Sequence, residues 1–153
     1  MGFILPFGRQ DPAWKVGLFA FATMVTFDLI TSGLGLWTWV TAGMYALIAV
    51  IFSAQFKKLK NIGLITYTSY AILGVLAFDI VTGPIMSSYL FKMPLALAIA
   101  GQIPFTAMHL ASGAAYTLAL APIMDPVLAK AWAGKIHRYR QALTQQFAAA
   151  YKL

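Results

Sequence analysis

The chain has 153 residues, 61% of them hydrophobic and only 10% charged, and its mean hydropathy is +0.77. Soluble domains carry about 25% charged residues, so this composition excludes an ordinary water-soluble fold and predicts an integral membrane protein. Glu is absent, and the four acids are Asp11, Asp28, Asp79 and Asp125.

The net charge is +7. The basic residues stand between and after the apolar runs, where they set topology and meet anionic lipid heads. No aromatic-rich basic motif points to nucleic acid. The absence of Cys excludes disulfides, thiolate metal sites and Cys nucleophiles.

In chain order, residues 1–13 hold a short apolar run, 3–7, followed by Arg9 and Asp11. That run is too short for the core of a signal peptide, so the first span is expected to act as the insertion signal. Four runs are long enough to cross about 30 Å of hydrocarbon: 14–30, 36–55, 62–82 and 104–124. Residues 31–33 read as a tight turn, and 56–61 as a basic loop.

Residues 83–103 are ambiguous. They are apolar enough for a fifth span, but Gly83-Pro84, Ser87-Ser88, Lys92 and Pro94 interrupt them. The positive-inside bias arbitrates. If this piece does not cross, every basic residue except Lys92 lies on one side. If it crosses, either the 57–60 cluster or the C-terminal group lies outside. The expectation is therefore an all-α polytopic bundle in the inner membrane with four full crossings and both termini cytoplasmic. Residues 83–103 would form an outer-side cap of short helices.

Residues 1–124 then form the transmembrane domain and 125–153 a cytoplasmic amphipathic helix. Asp125 can cap that helix and Pro126 suits its first position. Leu128, Trp132, Ile136, Tyr139, Leu143 and Phe147 recur every three or four residues and make one apolar stripe. Lys130, Lys135, Arg138 and Arg140 lie off it. The stripe fits a helix on the lipid surface or a docking face for a protein partner.

Phe27-Asp28-Leu29-Ile30-Thr31 and Phe78-Asp79-Ile80-Val81-Thr82 share the order Phe-Asp-aliphatic-β-branched-Thr. Each closes a predicted span at the outer side, as an internal duplication would place it. A carboxylate within a span is costly and marks a functional site by default. The competing reading is structural: each Asp could accept N–H groups of the turn that follows, with Thr31 and Thr82 helping.

His109, near the predicted start of the last span, reaches the same layer, with Gln102 close in sequence. Asp28, Asp79 and His109 thus converge on one candidate site. No metal-binding spacing accompanies them, and the only other His, His137, is in the tail, so neither metal nor cofactor is predicted. Trp37 and Trp39 follow the first outer turn. They read as an interfacial aromatic belt or as a ligand wall. Ala111, Gly113, Ala114, Ala115 and Ala119 give the last span a small-residue face for close packing.

The stretch Pro94-Leu95-Ala96-Leu97-Ala98-Ile99-Ala100-Gly101-Gln102-Ile103-Pro104-Phe105, then His109-Leu110 and Tyr116-Thr117-Leu118-Ala119-Leu120-Ala121-Pro122, resembles the end of the substrate-binding (S) components of energy-coupling-factor vitamin transporters, the biotin type above all. The Phe-Asp-aliphatic end of the first span is similar to the end of that family's third helix. The resemblance covers about residues 14–124, without the family's first two helices. It also extends to small uncharacterised bacterial membrane proteins near this fold. It implies a site for a vitamin-like or small polar metabolite near the outer face, beneath 83–103, with Asp28, Asp79, Gln102 and His109 as its polar contacts, and an energising membrane subunit as partner.

The expected function is therefore substrate binding or transport. The alternative is a non-transporting accessory subunit of a larger membrane complex. No nucleophile–base pair or phosphate-binding loop suggests an enzyme.

Overall fold

The computed structural model describes residues 4–59 and 62–150. Lys60 and Asn61 of the predicted basic loop, Phe3 at the head of the 3–7 run and residues 151–153 of the predicted tail helix lie outside the described residues. The described chain is all-α: α1 (Phe7–Gln10), α2 (Ala13–Thr31), α3 (Leu36–Phe56), α4 (Leu64–Ile80), a π-turn (Val81–Ile85), α5 (Met86–Leu90), α6 (Leu95–Met124) and α7 (Pro126–Ala150). Four helices are long and apolar enough to cross a membrane: α2, α3, the continuous Leu64–Leu90 helix and α6. The protein is a helical membrane protein.

Two helical hairpins build the bundle, α2 with α3 and α4 with α6, and they meet along α3 and α4. Gly33 makes the first turn possible, at φ +77, a left-handed conformation that only Gly adopts without strain. Its N–H and that of Ser32 donate to the Asp28 carbonyl. Inside the second hairpin, Gly113, Thr117 and Ala121 recur every fourth residue and are the buried face of α6. A Cβ on Gly113 would sit 3.2 Å from Val75, so small side chains set how closely α6 approaches α4.

Residues 83–103 do not fold as a separate cap of short helices, nor as a fifth span. Val81–Ile85 and Met86–Leu90 prolong α4, and 95–103 is the start of α6. Only 91–94 turn. Gly83 and Pro84 read as helix breakers, but Pro84 instead sits in the π-turn. The wider turn makes room for a ring that cannot donate to Ile80. Lys92, at φ 54, closes the tip, and Met93 N–H reaches the Ser87 carbonyl.

The segment before α2 is the fold's least expected part. Ile4 and Leu5 are each 1% exposed. Leu5 packs in one cluster with Phe56, Ile62, Tyr67, Ala71, Ala121 and Leu128. This short segment therefore plugs the end of the bundle where α3, α4, α6 and α7 meet. Ser53 Oγ donates to the Gly8 carbonyl at 2.8 Å and fixes it in place.

Candidate functional site

Two buried polar assemblies stand at different levels of the bundle. The first contains Asp79 of α4 and His109 of α6. His109 Nδ1 lies 2.8 Å from Asp79 Oδ1. The side chain of Asp79 is 2% exposed and that of His109 29%. Phe78 and Phe105 meet the imidazole edge-on, with ring centroids 6.0 and 5.6 Å away. The two rings hold the imidazole against the carboxylate. Asp79 Oδ2 is buried without any hydrogen-bond partner, an expensive condition for a carboxylate oxygen.

The sequence places Asp79 and His109 about one turn inside the outer interface. The structure sets them deeper in their helices. Because α4 continues to Leu90, Asp79 stands eleven residues before that helix ends. Because α6 begins at Leu95, His109 stands at its midpoint. The cause is the π-turn: it carries α4 past the residues that looked like its stop.

The repeated motif yields similar local geometry and different surroundings. Thr31 donates to the Phe27 carbonyl and Thr82 to the Phe78 carbonyl, both at 2.8 Å. Neither hydroxyl serves its Asp. Asp28 is 8% exposed, and its Oδ2 is also without a partner. The turn that follows is closed by the backbone carbonyl of Asp28 and not by its carboxylate, so the structural alternative for Asp28 does not hold in the form expected. Phe78 is buried but Phe27 is 58% exposed. Among the described residues no group of three His, Cys, Asp or Glu side chains could hold a metal ion, so Asp28 does not join Asp79 and His109 in such a set.

Gln102 does not reach the pair either. Its amide Nε2 donates to Thr106 Oγ1 at 3.1 Å, and the side chain lies flat on Gly83, where a Cβ would run into it. It lines an apolar cleft of about 560 Å³ between the π-turn and α6, together with Ile80, Pro84, Thr106 and Leu110. Trp37 and Trp39 are 37% and 53% exposed. Trp39 stacks on Phe21 with centroids 6.3 Å apart, and neither ring borders that cleft.

The second assembly was not expected as a unit. Asp125, between α6 and α7, is 1% exposed. Its Oδ1 accepts the N–H of Val127 at 2.8 Å and that of Leu128 at 3.4 Å, the capping role predicted from sequence. Its Oδ2 accepts Tyr67 Oη–H at 2.7 Å and Arg9 Nη1–H at 3.2 Å. Gln10 adds a bond to the Met124 carbonyl. Burial pushes the Asp125 carboxyl up, but the bonds from Tyr67, Val127 and Arg9 and the guanidinium charge outweigh it, and its pKa falls below the ordinary value.

Of the predicted stripe on α7, only Leu128 is buried. Trp132, Ile136, Tyr139 and Phe147 are 47 to 69% exposed and Leu143 is half-buried. Comparison of the chain with protein-family models, with curated proteins and with solved structures gives no match.

Proposed function

We propose that the chain is a substrate-binding or transport-related membrane protein, of the kind the energy-coupling-factor S components represent, with Asp79 and His109 at its polar centre. One observation carries the reading: a mid-helix carboxylate, nearly fully buried, keeps one oxygen unpartnered beside a half-buried imidazole. A carboxylate so placed has one imidazole, on one oxygen, to set against its desolvation, and intramembrane acids of this kind serve ligands, ions or protons.

The chemistry around the pair narrows the solute. Neither the Leu64–Leu90 helix nor α6 carries a Lys or Arg. Lys92 stands at the hairpin tip, beyond the end of the helix that holds Asp79. The site is thus rich in acceptors, and it suits a small polar molecule with N–H groups or positive charge better than an anion. Phe78 and Phe105 would add aromatic edges and faces. Both termini would lie on the cytoplasmic side of the inner membrane, and a solute from outside would have to pass about half the length of α6 to reach the pair. Catalysis forms no part of this reading.

The test is mass spectrometry of small molecules retained by the gently purified protein. A molecule held by the wild type and lost from Asp79→Asn supports the assignment. Identical retention by both removes Asp79 from the site.

A second reading, an accessory subunit of a larger membrane complex, rests on the surface of α6. Away from its buried face that helix leaves most of its side chains exposed, and Ala111, Ala115 and Ala119, four residues apart, are all exposed. Such a face is suited to another helix. A stable large complex recovered in mild detergent would favour this reading. An isolated chain carrying a metabolite would favour the first.

A further inference from the structure

The last helix is the longest element outside the apolar hairpins, and its amphipathic face is open. Its register explains what can cover it. At about 100° per residue, Lys135 and Arg140 flank the apolar stripe on its two sides, and Lys130 and Arg138 lie farther round. Residues 126–153 contain no acid. A peptide with an apolar stripe, cationic borders and no negative charge matches an anionic interface in which acyl chains lie beneath phosphate groups.

The elbow at Asp125 decides where that stripe points. Trp132 and Ile136 share a cleft of about 550 Å³ with Leu118, Pro122 and Ile123 of α6. Ile123 is 75% exposed and belongs to the outer face of a membrane-crossing helix. On another side, Trp132, Ile136 and Tyr139 share a groove with Leu64, the first residue of α4. Lys135 lines that same groove. The stripe therefore opens toward the ends of the apolar helices, where hydrocarbon gives way to headgroups, and not away from them. The elbow is set by the capping bonds of Asp125, whose other oxygen is held by Tyr67 and Arg9.

We infer that α7 is an anionic-lipid-binding helix: its stripe from Trp132 to Phe147 lies in the acyl boundary, and Lys135, Arg138 and Arg140 engage lipid phosphates. The assignment is independent of the solute proposed for Asp79 and His109.

The chain has no Cys, so Ile136→Cys in the full-length protein takes a single environment-sensitive fluorophore. The labelled protein is compared in nanodiscs of phosphatidylcholine alone and in discs with about one third phosphatidylglycerol, the anionic surface the helix is expected to read. The expected result is a blue shift in the anionic discs, with several-fold quenching by lipids brominated high on their acyl chains. High salt should reverse part of the shift. Adding Lys135→Glu with Arg138→Glu, both exposed positions, should return the emission to that of neutral discs.

A label that stays in water in the anionic discs overturns the inference. So does a label that is shielded but not quenched by brominated lipid, because protein then covers the stripe. Equal shielding in both disc types, indifferent to the charge reversals, overturns the selection for anionic lipid.

Discussion

Asp79 and Asp125 are buried to the same degree, each 1% exposed, yet their surroundings differ in kind. Asp125 has four donors, two on each oxygen. It joins α1, α4 and α7, and it shows how a fold completes the hydrogen bonds of a carboxylate that it keeps as structure. Asp79 has one neighbour at hydrogen-bond distance, on one oxygen, and that neighbour is itself titratable. Burial is the same at the two sites, and what separates them is the number of lone pairs left unmet.

The comparison can be broken or sharpened by substitution. The largest effect is expected from Asp125→Ala, which strips Tyr67 and two helix N–H groups of an acceptor and leaves a partly buried Arg9 unpaired. Breaking such an assembly from one side costs about 3 kcal/mol, the lower end of the usual range because Arg9 is 24% exposed. Thermal unfolding in detergent would measure it. A loss below about 1 kcal/mol, the worth of one ordinary hydrogen bond, would show that the assembly does not hold the end of the bundle together.

Asp79→Asn should behave in the opposite way. Uptake or ligand retention should fall by about tenfold or more, equivalent to about 1.4 kcal/mol of binding. Stability should stay within about 1 kcal/mol, because the variant removes an incompletely satisfied charge. Asp28→Asn should reduce uptake less, since no imidazole shares its position. If Asp79→Asn unfolds the protein as Asp125→Ala does, the distinction between the two acids collapses.

Tyr67→Phe removes one donor from Asp125 and should cost about 1–1.5 kcal/mol with uptake unchanged, again by thermal unfolding. Acid provides the subtlest test. The folded Asp125 carboxyl titrates below its ordinary value of 3.8. Its contribution to stability is therefore fully present above the unfolded value and is lost as pH falls through the folded one. Asp125→Asn should flatten that acid limb, and Asp79→Asn should leave the Asp125 contribution to it in place.

The apolar runs made the four long helices legible, because crossing a bilayer demands a minimum length that few other folds require. That Asp79 and His109 share a layer was legible, because so few polar groups stand in these spans, but that the two pair without Asp28 or Gln102 was not. The prolongation of α4 was not. Gly83-Pro84 carries a stop signal learned from water, whereas a helix in an apolar setting keeps its remaining backbone bonds and absorbs the ring as a π-turn. The plug formed by Ile4 and Leu5 was hidden for another reason. Two buried residues have no period, and the partners of Leu5, among them Phe56, Tyr67 and Leu128, are far away in sequence, while Ile4 packs with Val16, Ala20 and Ala49. Asp125 disclosed its capping role, which is local, and concealed its bonds to Tyr67 and Arg9, which are not.

The bond between Arg9 and Asp125 spans 116 positions, and that separation has a consequence for biogenesis. Each hairpin can assemble as soon as its second helix is made, since its contacts are near in sequence. The first hairpin can hold the N-terminal segment through Ser53, but the bond that ties that segment to the second hairpin can form only after the whole membrane region has been synthesised and Asp125 has arrived. Until then Arg9 and Tyr67 lack their acceptor, and the hairpins are joined without a clasp. Completion of that clasp would mark a finished molecule, and a chain halted before Asp125 should present an end that proteases can recognise as incomplete.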